Sequence, residues 1–142
     1  MNASGVQLPD RMNAASVFVD ENVRLGRENK VAILCEDRTV TYGDVLRMVN
    51  RTGNALKGLG VRMEERVMLL LPDGPELVFG FFGAIKIGAV PIPTNTSLKP
   101  DDYRYLLNDS RARVLIVDHS LWPRIEPVSA DLPYLRETVV VG

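Results

Sequence analysis

The sequence predicts an α/β fold: a layered, mostly parallel sheet with flanking helices, preceded by a short N-terminal hairpin. Three observations carry it. Short apolar runs at 67–71, 89–92, 114–117 and 138–141 alternate with segments of helical period, the order that wraps helices around parallel strands. The run at 67–71 is apolar at every position, as suits a strand covered on both faces. Gly60 and Gly88 stand where helices should end, and Pro75 and Pro100 where helices should begin.

Taken in order, residues 1–11 read as a disordered or loosely docked lead-in. Asn13 offers a side-chain cap for a helix to about Leu25, with Gly26 placed to end it. Residues 31–35 and 38–40 read as two strands of a hairpin that turns at Glu36-Asp37. Thr41 followed by Asp44 is a variant capping box, with Asp in place of the usual Glu. Behind it, Tyr42, Val45, Leu46, Val49, Gly53, Leu56 and Leu59 recur at helical spacing, and Arg47, Asn50, Arg51, Asn54 and Lys57 fill the other face. This is an amphipathic helix.

Pro75 opens the next helix at its first turn, where a missing N–H costs least. That helix runs to about Ile87 and is apolar nearly all round; such a helix should be buried on every side, and a chain this short is expected to leave part of it uncovered. Pro100 with Asp101 and Asp102 begins a further helix, its acids at the positive end of the helix dipole. A short helix around 121–126 and the last apolar run complete the order.

Composition excludes several classes. At 142 residues, one domain can bury roughly two-thirds of its unfolded surface. A hydrophobic content of 46% with 25% charged residues suits an ordinary globular protein. A net charge of −1 leaves no electrostatic footprint for nucleic acid or an anionic membrane. Cys35 is the single cysteine, so no intrachain disulfide forms and a reducing cytoplasm is the expected location. The most apolar stretch, 77–93, is broken by Lys86 and by Gly80, Gly83 and Gly88. It falls short of the roughly 20 apolar residues that span a bilayer. Residues 1–11 lack the apolar core of a secretory signal.

Three blocks stand in order: Thr41-Tyr42-Gly43-Asp44-Val45-Leu46, then Leu71-Pro72-Asp73-Gly74-Pro75-Glu76, then Ala84-Ile85-Lys86-Ile87-Gly88-Ala89-Val90-Pro91-Ile92-Pro93. Physically they are a helix start, a strand-to-helix turn, and a helix end followed by a strand. Their joint order and spacing resembles the opening of the adenylate-forming superfamily of acyl- and aryl-CoA ligases, peptide-synthetase adenylation domains and luciferases. The wording from Asn95 through Asp101-Asp102-Tyr103-Arg104-Tyr105-Leu106 to Ala112 most resembles the benzoate-CoA ligases.

That resemblance implies a parent enzyme that activates benzoate, or a close aromatic acid, with ATP and Mg²⁺ to an acyl-adenylate. It then transfers the acyl group to CoA. The family's phosphate loop ending in Pro-Lys-Gly, its later nucleotide-holding motifs and its C-terminal lysine do not occur in this sequence. Residues 1–142 are therefore expected to be a truncated N-terminal part of the large domain, inactive alone. No catalytic residue, no metal ligand and no bound cofactor are expected in this fragment. The bare apolar strand at 139–141 and the all-round apolar helix predict self-association. Alternatives are part of a fatty-acyl-CoA ligase, part of a peptide-synthetase adenylation domain, or a stand-alone α/β interaction module.

Other candidates resolve as structural. Gly53 to Gly58 is not followed by Lys-Ser or Lys-Thr, so it fails the phosphate-loop template. Gly74 sits at a strand-to-helix turn, where free N–H groups attract anions, but Asp73 beside it repels them. His119 reads as a surface or capping residue, Cys35 as an inert core residue and Trp122 as a packing anchor. In some aryl-CoA ligases that this chain resembles, a basic residue in the loop matching 95–99 approaches the phosphates of CoA. The nearest match here is Ser97, with Lys99 two positions on.

Overall fold

Thr41 starts the longest helix by the reciprocal capping that its spacing to Asp44 predicts. Its Oγ1 accepts from the Asp44 N–H at 3.1 Å, and Asp44 Oδ2 accepts from the Thr41 N–H at 3.1 Å. Helix α2 (Tyr42–Gly58) runs from this cap to Gly60, whose φ of 80° turns the chain out of the helix. The computed structural model describes residues 9–142, so most of the lead-in expected at 1–11 lies outside the described residues. Residues 9 to 11 are exposed and irregular.

Asn13 acts as the expected cap, its Oδ1 accepting from the Ala15 N–H at 3.0 Å. The helix behind it is not uniform. A π-helical stretch, Ser16–Asp20, leads into α1 (Glu21–Arg24). The wider turn leaves Val19 buried while Phe18 stays 61% exposed. Two contacts fasten this segment to the next layer: Asn13 Nδ2 donates to the Ile85 carbonyl, and Lys86 pairs with Asp20.

The hairpin forms as expected from β1 (Val31–Cys35) and β2 (Arg38–Thr41), with Glu36 at φ 52° in its turn. The main sheet contains β3 (Arg66–Leu70), β4 (Val90–Pro93), β5 (Val114–Asp118) and β6 (Glu137–Val141). Its order is β4-β3-β5-β6 and every pairing is parallel. Between the strands run α3 (Pro75–Lys86), α4 (Pro100–Ser110) and α5 (Trp122–Ile125).

Alternation along the strands sorts the core into layers. Val67, Leu69, Leu71, Val114 and Ile116 face α2 and α3, where Leu56 and Ala84 meet them. Met68, Leu70, Leu115 and Val117 face the other way, onto Tyr103, Leu107 and Ile125. A third cluster joins Val19, Val40, Val45, Val49 and Phe79 under the hairpin. Helices α2 and α3 approach closely through Gly53 and Gly83. A Cβ on Gly83 would lie 2.8 Å from Thr52 Cβ, closer than carbon atoms pack.

No residue of α3 is fully exposed, but Leu77, Val78, Phe81, Phe82 and Ile85 are only half-buried, the incomplete cover expected of so short a chain. Its apolar circumference therefore has covered and uncovered sides. One expectation needs correction: Cys35 is half-buried rather than core, because the hairpin is covered on one side only and Leu34 beside it is 77% exposed.

Candidate functional site

In open α/β sheets, ligands bind beyond the carboxyl ends of the strands, at the point where successive connections leave in opposite directions. Here that point lies between β3 and β5: the chain passes from β3 outward to β4, then crosses back to β5. The residues that follow these strands form two clefts.

The first cleft, about 300 Å³, is lined by Cys35, Arg38, Asp73, Gly74, Glu76 and Asp118, among others. Arg38 donates through both terminal nitrogens to Glu76, at 2.6 and 3.2 Å. This fork holds the Glu76 carboxyl below the usual carboxylate range, although the nearby Asp118 opposes it. Asp118 is itself held low, first by the Ser120 hydroxyl and then by the Ser120 N–H at 2.9 Å. With four carboxylates (Glu36, Asp73, Glu76 and Asp118) against one guanidinium, the crevice is acidic. It does not attract a phosphate unaided.

The second cleft, about 440 Å³, lies between the turn Pro72-Asp73 and the loop that follows β4. Asn95 and Thr96 line it together with Leu71 and Leu77. The loop is held from behind. Tyr103, fully buried, donates its hydroxyl to the Asn95 carbonyl at 2.9 Å and accepts from the Leu98 N–H at 3.2 Å. Arg124 Nη1 donates to the carbonyls of Thr96 and Leu98, at 3.0 and 3.2 Å.

Ser97 and Lys99 both lie exposed on this loop. The Ser97 N–H donates to Asn95 Oδ1 at 2.8 Å, and the Lys99 N–H donates to Asp102 Oδ2 at 3.1 Å as α4 begins. Neither side chain is engaged in an ion pair among the described residues. The backbone is fixed while the Lys99 ammonium stays free to meet an anion. Tyr103 and Arg124 escaped the sequence reading as supports of the loop. Arg124 is 26 residues beyond Leu98, and only the folded chain brings them together.

The remaining candidates fall where their residue types suggested. His119 is exposed at the start of a 3₁₀ turn whose cap is Asp118. Trp122 packs partly buried against the α4 side of the core. Among the described residues, no three His, Cys, Asp or Glu side chains converge to hold a metal ion. No helix among them is long and apolar enough to cross a membrane.

Residues 19–142 match the family model described as AMP-binding enzyme. Over 130 residues the chain is 45% identical to the 4-hydroxybenzoate–CoA/benzoate–CoA ligase of Rhodopseudomonas palustris, covering 92% of this chain and 24% of that protein. Its fold matches the anthranilate CoA ligase AuaEII in complex with anthranoyl-AMP at a TM-score of 0.91 and 46% identity, covering 95% of this chain and 26% of that one. It matches a benzoate CoA ligase from Burkholderia xenovorans LB400 at a TM-score of 0.85 and 31% identity, covering 93% and 26%. The chain thus spans about a quarter of the length of these relatives.

Proposed function

The chain belongs to the AMP-binding enzyme family, and from that premise we propose that residues 1–142 correspond to the N-terminal part of the large domain of an ATP-dependent aryl-CoA ligase. The reaction joins benzoate, or a close aromatic acid, to CoA with release of AMP and diphosphate. The carrying observation is that the relatives sharing 38–46% of its residues are named for aromatic acids, namely benzoate, hydroxybenzoates and anthranilate, whereas an acetyl-coenzyme A synthetase shares 35%.

Activation of a carboxylate by ATP needs cations around the developing phosphate and carboxylate charge. Magnesium supplies that neutralisation when bound with ATP. The described residues offer no cluster to hold it, so no step is assigned to this chain through the metal. We expect the chain alone not to adenylate acids, since it has no phosphate loop or catalytic lysine, and its acidic cleft at the β3–β5 switch point not to hold ATP. We place the protein in the cytoplasm, where ATP and CoA are at hand.

For CoA, we assign Ser97 and Lys99 as contacts: the loop beside the second cleft is fixed by Tyr103 and Arg124, and it presents a free ammonium. Lys99→Glu in the protein that carries this chain should raise KM for CoA and leave KM for ATP unchanged. Equal effects on both would remove the assignment. We also propose that the isolated chain self-associates. Strand β6 lies at the sheet edge, and Val140 is 47% exposed. Beside it an apolar groove of about 180 Å³ is lined by Leu56, Leu59, Phe79, Val139 and Val141, among others. Open edges and apolar grooves favour association.

The ligase reading is tested by acid-dependent diphosphate release from the protein that carries this chain, across aromatic, fatty and amino acids. Benzoate should rank among the better acids. Turnover of fatty or amino acids with none of benzoate would replace the substrate class while keeping the family.

A further inference from the structure

We propose that the amino-terminal edge of the parallel sheet carries a site for a compact oligophosphate anion, on the side away from the clefts described above and independent of the ligase reading. Arg66, Arg113 and Arg136 enter β3, β5 and β6 side by side. The Arg113 N–H donates to the Arg66 carbonyl at 2.9 Å, and the Arg136 N–H donates to the Arg113 carbonyl at 2.9 Å. Neighbouring strands lie about 4.8 Å apart, so three cationic residues occupy one row across the sheet. Like charges placed directly opposite one another destabilise a sheet.

The surroundings add charge rather than remove it. Arg62 and Arg111 flank the row, and the five arginines line two adjoining clefts of about 430 and 270 Å³ that share Glu65 and Arg113. Glu65 is the one carboxylate lining them. It accepts from Arg113 Nε at 3.0 Å and from the Arg62 N–H at 2.8 Å. Arg62, Arg66, Arg111 and Arg136 are exposed and make no ion pair among the described residues. The Arg111 guanidinium lies over the Tyr134 ring, 5.6 Å from its centroid, a contact that restrains a cation without neutralising it.

Five guanidiniums against one carboxylate leave four positive charges uncompensated in a small area, while the whole chain carries −1. That contrast selects the ligand. A long polyanion such as nucleic acid would have to cross the acidic remainder of the surface. A compact, multiply charged anion needs only the clefts. Guanidinium forks pair with phosphate oxygens two at a time, and diphosphate is the smallest anion that offers several such oxygens with comparable charge. Its binding relieves the repulsion within the row.

The test titrates sodium diphosphate into the chain without added metal, holding ionic strength constant with sodium chloride. The thermal midpoint should rise with diphosphate and not with sulfate. Arg136→Gln removes one like charge from the row. It should melt higher than the wild type without anion, and lose diphosphate affinity by about tenfold. Arg66→Lys with Arg111→Lys keeps the charges and removes the forks; affinity should again fall, with the fold intact. The proposal is overturned by a response that sulfate reproduces, by stronger binding of a glutamate-rich peptide than of diphosphate, or by an Arg136→Gln protein that melts lower and keeps its full response.

Discussion

Gly83→Ala probes the contact that joins the two helices on one face of the sheet. The added Cβ would stand 2.8 Å from Thr52 Cβ and 2.9 Å from Thr52 Cγ2, with the Gly53 nitrogen at 3.3 Å. Thr52 cannot swing its Cβ away, because that atom is fixed to the α2 backbone. The helices must therefore separate, loosening the packing of Leu56 and Ala84 against β3. Overpacking of this kind costs up to about 3 kcal/mol, against a helix-propensity gain of about 1 kcal/mol for replacing Gly. The net loss is about 2 kcal/mol. At an unfolding entropy of about 2 cal/mol/K per residue, the midpoint falls by about 7 °C. Calorimetry on the isolated chain measures it. Gly58→Ala is the control: nothing lies within 4 Å of its Cβ and its φ is not positive, so it should be stabilising by about 0.5–1 kcal/mol. Thr52→Ala removes the Cγ2 clash but keeps the nearer Cβ, so it should recover less of the loss than Thr52→Gly, which removes both. A Gly83→Ala protein as stable as the wild type would refute the close approach of α2 and α3.

Three further outcomes follow from the structure. Asp44, Glu65, Glu76 and Asp118 all have carboxyls held below their ordinary range, by Thr41, Arg62, Arg38 and Ser120 respectively as the leading partners. Their contribution is fully present above the unfolded values, about pH 4, and is lost as pH falls through the depressed folded values; a melting series should be flat above about pH 5 and decline below about pH 4, less steeply for Glu76→Gln. Tyr103→Phe leaves the Leu98 N–H and the Asn95 carbonyl without their partner, which should cost about 1–2 kcal/mol and speed amide exchange at Leu98. Light scattering of the isolated chain should detect a dimer or larger species that Val140→Lys, on the exposed edge of β6, returns to monomer; a wild-type monomer at moderate concentration refutes the self-association proposal.

Local chemistry made much of this fold legible. Thr41 and Asp44 stand three positions apart, so their reciprocal cap could be written from the sequence, as could the buried faces of 67–71 and 114–117. Pro75, Gly88 and Pro100 mark helix boundaries within about one residue. What stayed hidden depends on partners far along the chain. Arg124 reaches the loop at Thr96 and Leu98 only after α4 has folded back. The row of Arg66, Arg113 and Arg136 exists only once the order β3-β5-β6 is known. Cys35 looked like core because its strand is apolar, yet a hairpin covered on one side leaves such residues half-exposed. The π-helical turn at Ser16–Asp20 has no marker in its residue types. For the site, the sequence singled out Ser97 and Lys99 but not the Tyr103 and Arg124 that hold their loop.

The central claim is that this chain belongs to an enzyme that adenylates an aromatic acid and then passes it to CoA. Mass spectrometry on the protein that carries the chain tests it most directly. Incubation with benzoate and ATP·Mg²⁺ should yield benzoyl-AMP, and later addition of CoA should convert that species to benzoyl-CoA. Absence of an adenylate with any aromatic acid, in a protein that melts cooperatively, would contradict the account.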